Sequence, residues 1–303
     1  MFKEIRKLKR HTKRHSFLVQ GTTILSLLAV LHAYTCRGGA ARLLDMQTSD
    51  FMAMQPSPQN FQVIVDNTTD ISLLVPSKDK HKPRSLLYAT VLSGILEKVK
   101  IVLQRLVNDT ERNIKHKNEN FQNLPDESSG KTPLTKSIEM GDILIVSALV
   151  SSTHIDVTSV DNEKRSPLHM AAICNREQAF SLIWNKLLTQ DPTKTQDQNK
   201  DAARQSLFQK DKKDHSVFAS AYLPEPGLFG SNANLKMFKY ILGIVKESLQ
   251  ETDFKEIDKE IGTLQHKKEI GNKYAGKLRN EISLIQHPPT PTQNKKPETE
   301  AKK

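Results

Sequence analysis

Apolar residues recur at helical spacing in pairs of short segments through the middle of the chain. The clearest amphipathic patterns are Ile143 to Val150 and Gln178 to Leu188, and each follows a shorter stretch of small and apolar residues. Gly141 and Asn175 separate the two members of each pair, and both residue types tolerate the positive φ at which many helices end. The pattern predicts two copies of a helix, a turn and a second helix between Gly130 and Leu188.

The two copies begin with the same kind of motif. Thr132-Pro133-Leu134 is followed thirty-four residues later by Ser166-Pro167-Leu168-His169. A hydroxyl oxygen at a helix start accepts from unpaired backbone N–H groups, and a proline at the next position has no N–H to leave unpaired. Small residues in the second copy let a neighbouring helix approach closely. The motif residues are Thr132, Pro133, Leu134, Gly141, Ser166, Pro167, Leu168, His169, Ala171 and Ala172.

This pattern resembles the ankyrin repeat, which has a period of about 33 residues and the signature T-P-L-H-x-A. The resemblance implies an all-α solenoid of helical hairpins that binds proteins without catalysis, and it gives His169 a role in hydrogen bonding between neighbouring turns. A stack needs at least three repeats, and weaker copies are predicted to begin at Ser85 and Ser216. We expect about four hairpins within residues 82–250, with polar, solvent-exposed insertions at 108–129 and 190–215 and a short helix between Gln190 and Arg204.

The resemblance also indicates where a protein partner would bind, namely on the turns before each repeat and on the first helices. The candidate contact residues are Asp126, Glu127, Ser128, Asp161, Asn162, Glu163 and Lys164. The alternative interpretation of each one is an ordinary polar turn residue.

The net charge of +11 suggests nucleic acid as a partner, but its distribution argues against that. Residues 1–15 carry a net charge of +6 and residues 288–303 a net charge of +2, which leaves +3 for everything between them. The repeats are therefore close to neutral, and nucleic acid is an unlikely partner for them.

The N-terminus combines a basic arm, residues 1–15, with an apolar run from Phe17 to Cys36. Residues 16–36 are predicted to be a signal peptide or a single transmembrane helix, since about 20 apolar residues just span a bilayer. An anchor would leave the N-terminus in the cytoplasm, because positive charge precedes the segment. A signal peptide would be removed, and the remainder would be secreted. A buried helix is the third alternative.

Three further segments flank the repeats. Residues 37–81 are predicted to be a spacer or cap, with strand character at Phe61–Val65. Residues 251–287 carry apolar residues at spacings of three and four and are predicted to form one charged helix, either a cap on the last repeat or a coiled-coil partner. Residues 288–303, rich in proline and lysine, are predicted to be disordered.

The chain offers no pattern typical of an enzyme. Ser129-Gly130-Lys131-Thr132 is similar to the end of a phosphate-binding loop, but Pro125 stands where that motif requires glycine. The two cysteines are too few for a disulfide framework or a four-ligand metal site. We therefore predict no catalytic residues, no cofactor and no metal.

Three functional hypotheses follow. The first is a protein-binding scaffold tethered to a membrane through Phe17 to Cys36. The second is a secreted, effector-type protein that binds a host protein after signal cleavage. The third is a soluble regulator whose basic arm binds nucleic acid.

Overall fold

The computed structural model describes residues 57–67, 71, 85–112, 120, 122–127, 129–223 and 231–288. This described part of the chain contains twelve α-helices, one 3-10 helix and no β-strand. Contacts divide the chain into two units, Met1–Ser129 and Gly130–Lys303. The basic arm 1–15, the apolar segment 16–36, most of the predicted spacer 37–81 and residues 289–303 lie outside the described residues.

The first unit contains α1 (Pro58–Asn67), α2 (Leu86–Ser93) and α3 (Leu96–Glu111). The second unit contains α4 (Pro133–Met140), α5 (Ile143–Ser151), α6 (Pro167–Ile173), α7 (Glu177–Leu188), α8 (Gln196–Phe208), α9 (Val217–Tyr222), α10 (Ser231–Val245), a 3-10 helix (Lys246–Ser248), α11 (Glu251–His266) and α12 (Asn272–Gln286). Across these described residues, no helix is both long enough and apolar enough to span a bilayer.

All four predicted repeat starts are helix caps. In each, the hydroxyl oxygen accepts a backbone N–H three residues ahead, which satisfies one of the unpaired donors of a first turn. The four pairs are Ser85 with Tyr88, Thr132 with Thr135, Ser166 with His169 and Ser216 with Ala219. The predicted turns also adopt positive φ, with values of 66° at Gly94, 79° at Gly141 and 55° at Asn175.

The second unit stacks three of these hairpins. The first helices α4, α6 and α9 pack in that order, and the second helices α5, α7 and α10 pack beside them. Leu134, Leu168 and Phe218 occupy equivalent positions in the three first helices, and each is 2% exposed or less. The hairpins therefore share one continuous apolar core.

The strand predicted at Phe61–Val65 is wrong, because these residues belong to helix α1. Phe61 and Val65 are four positions apart, so a helix places them on one face, and both are 1% exposed. That face packs on α3. A run of five mostly apolar residues fits a strand or a helix equally well, and the packing against α3 decides between them.

The insertion predicted at 190–215 is not simply solvent-exposed. It contains α8, which packs against α7, α9 and the 3-10 helix. Ala203 and Leu207, again four positions apart, are 1% and 0% exposed. The segment is mostly polar, so these two buried apolar residues do not produce a clear amphipathic pattern in its sequence.

The single charged helix predicted at 251–287 is two helices, α11 and α12. The chain turns after His266, and Lys268 adopts a positive φ of 60°. Helix α11 packs on α9 and α12 packs on α10, while the two also pack on each other. The pair therefore takes the place of a further hairpin at the end of the stack.

Candidate protein-binding surface

The turn before α6, residues 161–165, is built around Asp161. Its Oδ1 accepts the backbone N–H groups of Glu163 and Arg165 at 2.8 and 2.9 Å. Its Oδ2 accepts Nε of Arg165 at 2.9 Å. The Asp161 side chain is 1% exposed. For this candidate residue the structure favours the alternative interpretation, a polar residue that holds the turn.

The turn before α9, residues 211–215, has the same construction. Oδ1 of Asp211 accepts the N–H groups of Lys213 and His215 at 2.8 and 2.9 Å. Asp161 and Asp211 also each donate their own N–H to the carbonyl of the fourth residue ahead, at 3.0 Å in both turns. The positive φ falls at equivalent positions, Lys164 and Asp214. We name these the second turn (161–165) and the third turn (211–215).

The first turn, residues 126–129 before α4, belongs to the first unit. Asp126 is 3% exposed and accepts the N–H of Ser129 at 2.8 Å, so it too lies within a turn. Glu127 is exposed. Ser128 lies outside the described residues.

Within the second unit, backbone hydrogen bonds join Gly130 to the second turn and the second turn to the third turn. The N–H of Asn162 donates to the carbonyl of Gly130 at 2.7 Å, and the N–H of Lys212 donates to the carbonyl of Glu163 at 2.9 Å. Asn162, Glu163 and Lys164 are exposed. These three candidates therefore have side chains that a partner can reach, held on a connected backbone.

His169 extends the same linkage between turns. Its Nδ1 accepts the N–H of Ser166 at 3.2 Å and lies 2.8 Å from the Ser166 hydroxyl. Its Nε2 donates to the carbonyl of His215 at 3.2 Å, which assigns the proton to Nε2 of a neutral ring. Burial lowers the pKa of His169 from its ordinary value of 6.5. In the first unit Tyr88 holds the equivalent helix position, and its hydroxyl lies 2.6 Å from that of Ser129.

The remaining motif residues build the fold. Thr132, Pro133, Leu134, Ser166, Pro167, Leu168, Ala171 and Ala172 are buried, whereas Gly141 is exposed at its turn. Helices α6 and α9 are almost entirely buried as well. In these two repeats the reachable surface is therefore the turns rather than the first helices.

Residues of the third turn were missed as candidates, although a signal was present. Asp211 precedes Ser216 by the same five positions that separate Asp161 from Ser166. Lys212, Lys213 and Asp214 are exposed, like their counterparts in the second turn.

Two features of the described residues bear on a metal ion or a small ligand. No group of three or more His, Cys, Asp or Glu side chains among them could hold a metal ion. An open groove of about 330 Å³ lies between α11 and α12, with Phe254 and Ile282 among its lining residues. Asp258 and Arg279 at this groove pair with each other at 2.6 Å.

Residues 86–196 match the family model described as ankyrin repeats (3 copies). A search of curated proteins finds no match. The matched residues contain two of the capped starts, Thr132 and Ser166, and the three positive-φ turns given above, and they begin one residue after a third capped start, Ser85. The match supports the resemblance to ankyrin repeats that the sequence predicts for this part of the chain. The hairpin of α9 and α10 lies beyond the matched residues and repeats the same cap.

Proposed function

We propose that the protein is a non-catalytic scaffold that recognises another protein through its turn edge, defined as residues 162–164 and 212–214. The observation that carries the proposal is the backbone linkage from Gly130 through the second turn to the third turn. The match of residues 86–196 to ankyrin repeats supports it, because stacks of such repeats bind proteins on extended surfaces.

The construction of the turns suits recognition. Each turn aspartate satisfies two backbone N–H groups, so the loop conformation is set before a partner arrives. A loop that is already ordered loses less conformational entropy when it binds. The exposed side chains, among them Asn162, Glu163 and Lys213, then supply polar contacts with a partner.

A photo-crosslinking amino acid at Glu163 or Lys213, in the full chain within its own cells, tests this surface. We expect a covalent adduct with a discrete protein from either position. The matched control is Asn185, an exposed residue of α7 outside the turn edge. Adducts from Asn185 but not from the turn edge would show that another surface binds the partner. Adducts with nucleic acid alone would reject protein recognition.

We also propose that residues 16–36 direct the chain to a membrane, with a single-pass anchor and a cytoplasmic N-terminus as the first choice. The support is the sequence of this segment, a basic arm followed by a mostly apolar run of about 20 residues. The alternative is an effector-type protein that is secreted after cleavage near Ala41. A soluble regulator with a nucleic-acid-binding arm is the third possibility.

N-terminal sequencing and membrane partition of the native protein separate these alternatives. An intact Met1 in the membrane fraction supports the anchor. A start near Ala41 in the exported fraction supports the secreted protein. An intact, soluble chain in the cytoplasm rejects both.

A further inference from the structure

Three loops meet at the end of the second unit. The second and third turns are joined by the hydrogen bond between Lys212 and Glu163. The loop that starts at the last residue of α11, residues 266–270, reaches the third turn, because Glu269 Oε2 lies 3.2 Å from His215 Nε2. Helix α11 is anchored nearby, since Glu260 accepts the N–H of Ser216 at 3.0 Å. The C-terminal helices therefore extend the turn edge by one loop.

Exposed lysines are concentrated on these three loops. We define the basic cluster as Lys164, Lys212, Lys213, Lys267 and Lys268, all exposed. Within the part of the chain that the structure describes, only Lys212 of these five has an ion-pair partner, Glu163 at 3.6 Å. The three exposed carboxylates on the same loops are Glu163, Asp214 and Glu269, and Glu269 is engaged with His215. The surface thus carries an excess of unpaired positive charge.

We propose that the basic cluster binds an acidic segment of a partner protein. This inference rests on the proposed function and names the chemistry of the partner. Carboxylates spaced along a polypeptide can form ion pairs with the lysines, while uncharged residues between them lie opposite Glu163, Asp214 and Glu269 and avoid repulsion. Charge complementarity of this kind raises the association rate and selects between partners.

Nucleic acid and membrane fit the same surface less well. A continuous phosphate backbone would meet the three interleaved carboxylates, and residues 161–165, 211–215 and 266–270 contain no Phe, Trp or Tyr on which a base could stack. A membrane surface site gains from exposed apolar side chains. The exposed large apolar residues in the described ranges are Val63, Leu124, Met140, Leu144 and Leu284, none of which is on these loops.

Binding of the full-length protein to a defined probe tests the proposal. The probe is a fluorescent peptide of alternating glutamate and serine, compared with its lysine counterpart, with oligothymidylate and with phosphatidylserine vesicles. We compare the wild-type chain with the variant Lys213→Glu/Lys267→Glu. The control, Lys255→Glu/Lys277→Glu, makes the same charge change at two exposed lysines of α11 and α12.

We expect the glutamate peptide to bind about tenfold more weakly to the first variant and within about twofold of wild type to the control. Added salt should weaken wild-type binding, because exposed charges are screened. Hydrogen exchange should slow at 211–215 and 266–269 when the peptide binds. Thermal melting of each variant verifies that the fold is intact.

Several results would overturn the proposal. If both variants lose the same affinity for the glutamate peptide, net charge alone drives binding. If the peptide slows hydrogen exchange only in residues 1–15, the basic arm and not the basic cluster binds it. Tighter, cluster-dependent binding of oligothymidylate or vesicles would replace the acidic protein segment by that ligand. If the peptide fails to bind while crosslinking at Glu163 captures a protein, the inference fails and the proposed function stands. If neither experiment succeeds, both fail.

Discussion

Glu260 completes the cap of the last repeat from outside that repeat, by accepting the backbone N–H of Ser216 at 3.0 Å. It also accepts the Ser216 hydroxyl. In α6 the equivalent N–H, that of Ser166, is bonded by His169 from within the same helix. Helix α9 has Ala219 at that position, which offers no acceptor. The C-terminal helices thus provide the group that this repeat lacks.

Replacing Glu260 by alanine should lower the free energy of unfolding by about 2–4 kcal/mol, since it leaves a buried N–H without an acceptor and removes a charge-assisted bond. The Glu260 side chain is 10% exposed. Urea unfolding of the full chain measures the change. Glu256→Ala, at an exposed position of the same helix, is the control, with an expected change within about 0.5 kcal/mol. Equal effects of the two substitutions would contradict the capping role.

The stability of the protein should fall as the pH drops below the ordinary pKa of histidine. Burial holds the pKa of His169 below 6.5, although the carboxylates of Asp211 and Asp161 act in the opposite direction. The unfolded chain therefore takes up the proton first, so the contribution of His169 is complete above pH 6.5 and is lost as the pH falls towards the folded-state pKa.

Unfolding measured across this range should show a shallower pH dependence in His169→Gln than in wild type. His266→Gln, at an exposed position at the end of α11, provides the comparison and should retain the wild-type slope. Parallel curves for wild type and His169→Gln would exclude His169 as the titrating group.

Two glycine substitutions should have opposite effects. Gly141 has a φ of 79°, and an added Cβ would lie 2.5 Å from the Arg176 guanidinium carbon. Gly141→Ala should therefore destabilise the protein by about 1–3 kcal/mol. Gly243 lies within α10 with nothing inside 4 Å of an added Cβ, so Gly243→Ala should stabilise the protein by about 0.5–1 kcal/mol. Thermal melting that moved in the same direction for both would contradict these assignments.

Arg105 should hold α1 against α3. Its Nη1 donates to the carbonyls of Val65 and Asp66 at 2.9 and 3.0 Å, at the end of α1 where helix carbonyls have no partner within the helix. Its Nε donates to Asp109 at 2.6 Å. Arg105→Met should therefore speed hydrogen exchange within 58–67. Lys100→Met, at an exposed position of the same helix, should leave it unchanged.

The local sequence predicts where the turns of the candidate surface lie, but it does not predict which of their side chains are exposed. A short polar stretch before each capped helix predicts a turn, and Asn162, Glu163 and Lys164 are exposed there. Asp161 lies in the same polar stretch, yet its carboxylate is buried and accepts two backbone N–H groups. The direction of a polar side chain within a turn depends on which donors the backbone leaves unpaired, and residue type alone does not reveal it.

The sequence by itself determined the positions of the four repeat starts and the turns between paired helices. These features depend on local chemistry, because a hydroxyl cap acts over three residues and a positive φ concerns one residue. Tertiary structure alone decided that Phe61–Val65 is helical, that α8 packs into the stack and that Glu260 caps Ser216 across 44 positions. Each of these outcomes depends on contacts with residues that are distant in the chain, and a short pattern of apolar and polar residues does not predict those contacts.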